Sequence, residues 1–282
     1  MRWTTGGRSS DIEDRRGGGR MGGIPMGPAG CGVVLVLLVL SLLTGRNFLS
    51  LIDPNSVGGG SETATTGPPA ETSPEEEKLV QVMGAVLDDA QQTWASLLPG
   101  RYQRAKLVLF RDATATACGY GRTASGPFYC PGDQKVYLDL AFFDELDRRF
   151  GAPGDFAQAY VVAHELGHHV QTLTGTEGQV RQAQEQRPGA ANALSVALEL
   201  QADCYAGVWG HSAAQRGHLD AGDMEEGLRA ASSIGDDRLQ RMTGGGVQPE
   251  TFTHGSSAQR VEWFRRGLQS GRPDSCDTFG SR

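Results

Sequence analysis

The chain has 282 residues, enough for one large or two small domains. Hydrophobic residues make up 38% of it and the net charge is −7. Five arginines against three acids set residues 1–45 at +2, so residues 46–282 carry −9; so acidic a body argues against nucleic-acid binding, which calls for a basic patch.

Residues 1–28 are polar and rich in glycine and arginine, and they read as a disordered N-terminus without a packed core. Residues 33–43, VVLVLLVLSLL, carry no charge. With Ala29–Gly32 before them and Thr44 after, the apolar run is about 16 residues, short of the roughly 20 that span a bilayer. Arg46 can snorkel to the interface, and NFLSLI, residues 47–52, can supply the missing length. A transmembrane signal anchor over residues 29–52 is therefore expected. A cleaved signal peptide would have an unusually long n-region here and lacks an A-x-A site. The arginines of residues 1–45 all precede the segment, which places the N-terminus in the cytoplasm and the rest of the chain outside the membrane. Residues 53–73, DPNSVGGGSETATTGPPAETS, read as a flexible linker, leaving residues 74–282 as the folded domain.

Cysteine usage fits an oxidising location. Cys31 falls in the apolar segment, and four cysteines remain outside it, which allows three pairings. Cys118 and Cys130 flank CGYGRTASGPFYC and could close a hairpin-like loop; Cys204 and Cys276 would then tie a helix to the C-terminal tail. Four free buried thiols are the alternative if the location is otherwise.

The domain opens with a helix. Ser73 is a candidate N-cap, Pro74 sits at the first position, and Glu75–Glu77 fill the first turn. Leu79, Val82, Met83, Val86, Leu87, Ala90 and Trp94 follow at helical spacing until Pro99-Gly100. KLVLF (106–110) reads as a strand, and PFYC (127–130) with KVYLDL (135–140) as a hairpin across the turn PGDQ. AFFDELDRRFG (141–151) reads as a short helix. A long helix is expected between Asp155, as N-cap, and Gly175. Polar sequence, loop-like or loosely helical, runs from there through RPGAAN. A second long helix starts near Ala191, and two more are expected near residues 221–241 and 256–270. The order makes an α+β chain with a small N-terminal sheet and a mostly helical second half.

The first long helix holds HELGH, residues 164–168. Positions i and i+4 share a helix face, so His164 and His168 can grip one ion, while Glu165 lies about 100° around the helix, placed to reach a water on that ion. Zinc usually takes a third protein ligand and leaves a fourth position open. Glu199 in ELQAD is the candidate, with Asp203 one turn on to accept the far ring N–H of His164 or His168. Their neighbours Ala197, Leu198, Leu200, Ala202 and Ala206 are apolar, so unpartnered carboxylates here would be costly. His211, His218 and His254 are further candidates, but none has the metzincin spacing, since positions 171 and 174 are Gln and Thr. His169 shares a face with Glu165, not with His164, and is expected to pack or hydrogen-bond.

MRW at the start, DIEDRRG (11–17), the apolar segment, KVYLDLAFFDEL, FGAPGDFAQAYVVAHELGHHVQ and LELQADCYAGVWGH together resemble the neutral zinc metallopeptidase family of YpfJ-like bacterial membrane proteins. The resemblance implies a zincin-like, gluzincin-type peptidase anchored in the bacterial cell membrane, with its catalytic domain extracytoplasmic. It implies one zinc ion held by His164, His168 and Glu199, and a peptide or protein substrate. ELQAD also looks like the third-ligand motif of membrane-linked heat-shock and CAAX-processing metallopeptidases, in which a downstream histidine holds the oxyanion. THGSSAQRVEWF (253–264) offers His254 and Arg260 for that task, with Gly255 where the wider group often has proline. The expected reaction is peptide hydrolysis with Glu165 as general base, by an endopeptidase rather than an exopeptidase. An extended substrate could add to an edge strand near KVYLD. Two rivals are a zinc hydrolase of a cell-wall amide and a membrane-tethered scaffold with structural zinc.

Overall fold

The computed structural model describes residues 1–3, 6–17, 72–123, 126–244 and 246–280. The expected membrane segment and nearly all of the expected linker lie outside these residues. Among the described residues no helix is long and apolar enough to cross a membrane. The described residues of 1–15 and 72–280 form one compact unit.

A four-stranded sheet is built from β1 (Ile12–Asp14), β2 (Lys106–Phe110), β5 (Phe128–Cys130) and β6 (Lys135–Asp139), in the order β1-β2-β6-β5. β1 and β6 run parallel to β2, and β5 pairs antiparallel with β6. β2 is apolar on both faces because both are covered. Leu107 and Leu109, with Val136 and Leu138, join the main core. Val108 and Phe110 face the other way with Cys130 and Tyr137. A hairpin, β3 (Ala113–Thr116) and β4 (Gly119–Arg122), lies on this second side. A Cβ at Gly121 would fall 2.3 Å from Phe128 Cζ, so the hairpin seats on that ring only as glycine.

Two expectations change here. Residues 12–14, expected within a disordered N-terminus, add a strand to the sheet, because the otherwise open edge of β2 offers them a backbone ladder. KVYLD is an interior strand; the edge beside the helical half is β5.

The helical half begins on the sheet with α1 (Pro74–Leu97), capped by the Ser73 hydroxyl at Glu76 N, and α2 (Ala141–Arg148). α3 (Asp155–Thr174) carries HELGH and is buried nearly all round. Its N-cap is Gly154, at φ 121°, and not Asp155, which starts the helix. Gly175 stops it in the left-handed conformation. The polar stretch after it is a helix, α4 (Thr176–Gln186), with Val180 as its buried residue. α5 (Ala191–Gln215) crosses α3. The expected helix over 221–241 is broken into α6 (Asp223–Ser233) and α7 (Asp236–Met242) at Gly235, where a Cβ would fall 2.3 Å from Ser257 N. α8 (Ser257–Ser270) starts with a capping box between Ser256 and Gln259. Both expected disulfides are present, Cys118–Cys130 and Cys204–Cys276.

Candidate metal centre and active site

α3 and α5 meet at Gly167, the glycine inside HELGH. A Cβ there would lie 3.0 Å from Ala202 Cα, so the lack of a side chain sets how near the helices come. That approach brings the α5 carboxylates to the α3 histidines. His164 Nε2 lies 3.2 Å from Glu199 Oε2, and His168 Nε2 lies 3.5 Å from Glu199 Oε1. Tetrahedral zinc with bonds of about 2.0–2.1 Å separates its ligand atoms by about 3.3–3.5 Å, so this donor set fits zinc.

The outer ring nitrogens agree. His164 Nδ1 is 2.9 Å from Asp203 Oδ1, and His168 Nδ1 is 2.9 Å from Gln171 Oε1. Both partners are acceptors, so each Nδ1 donates and each Nε2 keeps its lone pair for a metal. Gln171 is itself fixed, its Nε2 donating to Leu198 O at 2.7 Å and Gln201 Oε1 at 3.1 Å. Asp203 is fully buried and also accepts from the Tyr160 hydroxyl and from Arg260 Nε at 2.8 Å and Nη2 at 2.9 Å. Arg260, which the sequence offers for the oxyanion beside His254, is buried, bonds Asp203 and also lines the cavity over the site. Asp203 therefore orients His164 alone among the two ligand histidines.

The electrostatics follow from burial and pairing. Burial alone would lower the His164 pKa, but the Asp203 and Glu199 carboxylates raise it to about 10. Burial would likewise raise Glu199 and Asp203, yet the histidines hold Glu199 well below the usual carboxylate range and Arg260 with His164 hold Asp203 down. Glu165 behaves oppositely: burial pushes its pKa up, against the pull of the two histidines.

A cavity of about 620 Å³ opens over this group, lined by His164, Glu165, His168, Glu199, Tyr129 and His254 among others. A groove of about 680 Å³ between α4, α5 and the C-terminal tail holds none of the site residues. Glu165 is buried at the cavity wall. The His254 side chain is half-exposed, with Nδ1 3.2 Å from Asp236 Oδ1. The other Asp236 oxygen accepts the backbone N–H groups of Thr253, His254 and Gly255 at 2.7, 2.6 and 3.1 Å. That hydrogen bond raises the His254 pKa, with burial opposing it.

His169 is not a ligand. It is fully buried, its Nε2 donates to Gln103 O at 2.7 Å, and its Nδ1 accepts from the Tyr129 hydroxyl at 3.0 Å. His211 and His218 lie elsewhere, bonded to Leu268 O and Arg2 O. Among the described residues a second acidic group, Asp155, Asp223 and Glu226, could in principle hold a cation, but the Met1 ammonium already lies 2.8 Å from Asp155 Oδ2. Tyr160, Gln171 and Asp236 were not singled out by the sequence. Only for Gln171, one turn after the second ligand histidine, did spacing offer a hint.

The sequence model of the family described as "Putative neutral zinc metallopeptidase" matches residues 1–279. The chain is 46% identical to the "Uncharacterized protein YpfJ" of Escherichia coli (strain K12) over 291 residues, 99% of each chain. It is also 46% identical to the "Uncharacterized protein Rv2575" of Mycobacterium tuberculosis over 199 residues, 67% of this chain and 66% of the other. No solved structure matches it.

Proposed function

The chain belongs to the neutral zinc metallopeptidase family, and from that premise we propose that it hydrolyses peptide bonds within extended protein segments, with one zinc ion held by His164, His168 and Glu199. The observation that carries this is the asymmetry of the site. Three donor atoms converge, and a further carboxylate, that of Glu165, faces the same cavity outside the ligand set. A structural zinc would take four protein ligands; among the described residues this cluster supplies three.

Bound zinc would polarise the scissile carbonyl and acidify a coordinated water. Glu165 accepts the proton of the attacking water and returns it to the leaving nitrogen. Its buried position, which favours the neutral acid, suits that return. His254, held by Asp236, donates a hydrogen bond to the oxygen that gains charge. The free edge of β5 pairs with the substrate backbone, the mode of strand addition. Such pairing reads backbone on either side of the cleaved bond and needs no chain terminus, which supports endopeptidase action. The two disulfides support an oxidising, extracytoplasmic location.

Glu165→Gln tests the mechanism on an unfolded protein substrate. The variant should keep its zinc by elemental analysis and lose about 100- to 10,000-fold in turnover, the range for a positioned acid–base group. Full activity with zinc retained would exclude Glu165 as the base. Hydrolysis of wall fragments but not of unfolded protein would overturn the peptide substrate.

A further inference from the structure

Charge placement alone sets the N-terminus and the catalytic body on opposite sides of a membrane. The sheet says otherwise. Ile12, Glu13 and Asp14 of β1 pair with Leu107, Val108 and Leu109 of β2. The ladder is extended by Leu107 N donating to Asp11 O and Arg15 N donating to Leu109 O, each at 2.8 Å.

The contact reaches well beyond the strand. Asp11 is 5% exposed and accepts from Gln91 Nε2 at 3.0 Å and Lys106 Nζ at 2.8 Å. Ser9 Oγ donates to Asp88 Oδ1 at 2.9 Å, and α1 makes room for the arm at Gly84, where a Cβ would lie 3.1 Å from Ile12 Cδ1. Further back, Arg2 N donates to His218 O at 2.8 Å, and the Trp3 ring stacks on His218 with centroids 4.4 Å apart. A buried carboxylate with partners on two elements and a parallel backbone ladder make this arm a part of the peptidase body.

Backbone hydrogen bonds need both strands in one compartment. A single crossing by residues 29–52 would separate β1 from β2. Two crossings by helices would need about 40 apolar residues and a turn. Residues 29–52 number 24, and the whole uncharged run between Arg20 and Arg46 numbers 25. A single crossing is incompatible with the paired strands, and two crossings with the length of the segment.

We propose that the N-terminal arm, residues 1–15, shares a compartment with the peptidase body, against the topology that charge placement alone sets. The proposal does not depend on the chemistry assigned to the metal site.

The full chain, carrying Cys31→Ser, is expressed in bacteria with a single reporter cysteine, either Ser10→Cys on the arm or Glu262→Cys on α8. Both positions are exposed. A membrane-impermeant maleimide is applied to spheroplasts before and after lysis. The expected result is that both cysteines label to the same extent before lysis. Labelling of one before lysis and of the other only after it would overturn the shared compartment. So would a mature protein whose mass lacks residues 1–15.

Discussion

Asp203 carries four hydrogen bonds from three side chains, and only one of those goes to a metal ligand. Arg260 and Tyr160 exist at this site to keep that carboxylate charged and aimed. Asp203→Asn should therefore lower zinc affinity about 10- to 100-fold, the usual cost of losing such a partner, as read by chelator competition. Glu199→Ala should lose most of the bound zinc in the same assay, and equal retention by both variants would contradict the ligand assignment. His254 gives a pH prediction. Its pKa is raised by Asp236, so its protonated form persists to higher pH, and activity should fall as pH rises through that value. Asp236→Asn removes the raising partner, so the alkaline limb of kcat/KM should move to lower pH; an unmoved limb would assign it to another group. At this scale much was legible in the sequence. His164, Glu165, His168, Glu199 and Asp203 follow from helical spacing and from the cost of burying charge. Tyr160 and Asp236 do not, because their roles depend on how α3 crosses α5 and on the break at Gly235. Arg260 was noticed, but its bonds to Asp203 were not foreseen, since nothing local says which way a side chain on α8 points.

Between elements, spacing is set by glycine. α5 and α8 pack so closely that a Cβ at Gly267 would fall 1.9 Å from Cys204 O and 2.9 Å from Val208 N. Gly267→Ala should destabilise the protein by about 1–3 kcal/mol through overpacking. Gly178→Ala on α4, with nothing within 4 Å, should stabilise it by about 0.5–1 kcal/mol through helix propensity. Chemical denaturation of the two variants checks the contrast, and equal shifts would refute the close contact. Strongly periodic elements such as α1 were readable from apolar spacing and capping residues. α4 was not, because TEGQVRQAQEQ offers one buried apolar residue and so no stripe. β1 was missed for a different reason. Three residues, two of them acidic, form a strand only because a partner more than ninety positions away presents an open edge.

At the scale of the whole molecule, the two covalent ties expected from the cysteine spacing differ in how much chain each closes. Cys204–Cys276 links α5, the helix of Glu199 and Asp203, to the C-terminal tail across 72 positions, and Cys118–Cys130 closes 12. Loop-closure entropy assigns them about 4 and about 3 kcal/mol. Removal of the first by Cys204→Ala with Cys276→Ala should lower the thermal midpoint more than removal of the second by Cys118→Ala with Cys130→Ala, as calorimetry can rank. The α+β class was legible from element order, whereas the place of the N-terminus was not, because charge counting sees a linear chain and strand pairing does not respect linear order.

His169 has one further consequence. Its ring spans from the Tyr129 hydroxyl on β5 to the Gln103 carbonyl, and its backbone belongs to the helix of the metal ligands. It works as a spacer of fixed length between the rail on which a peptide would lie and the point at which it would be cut. Under the proposed strand addition, a peptide on that rail would be measured by its backbone, residue by residue, before any side chain is consulted. Lengthening or slackening the spacer would smear the cut over neighbouring bonds while leaving the cutting group itself untouched.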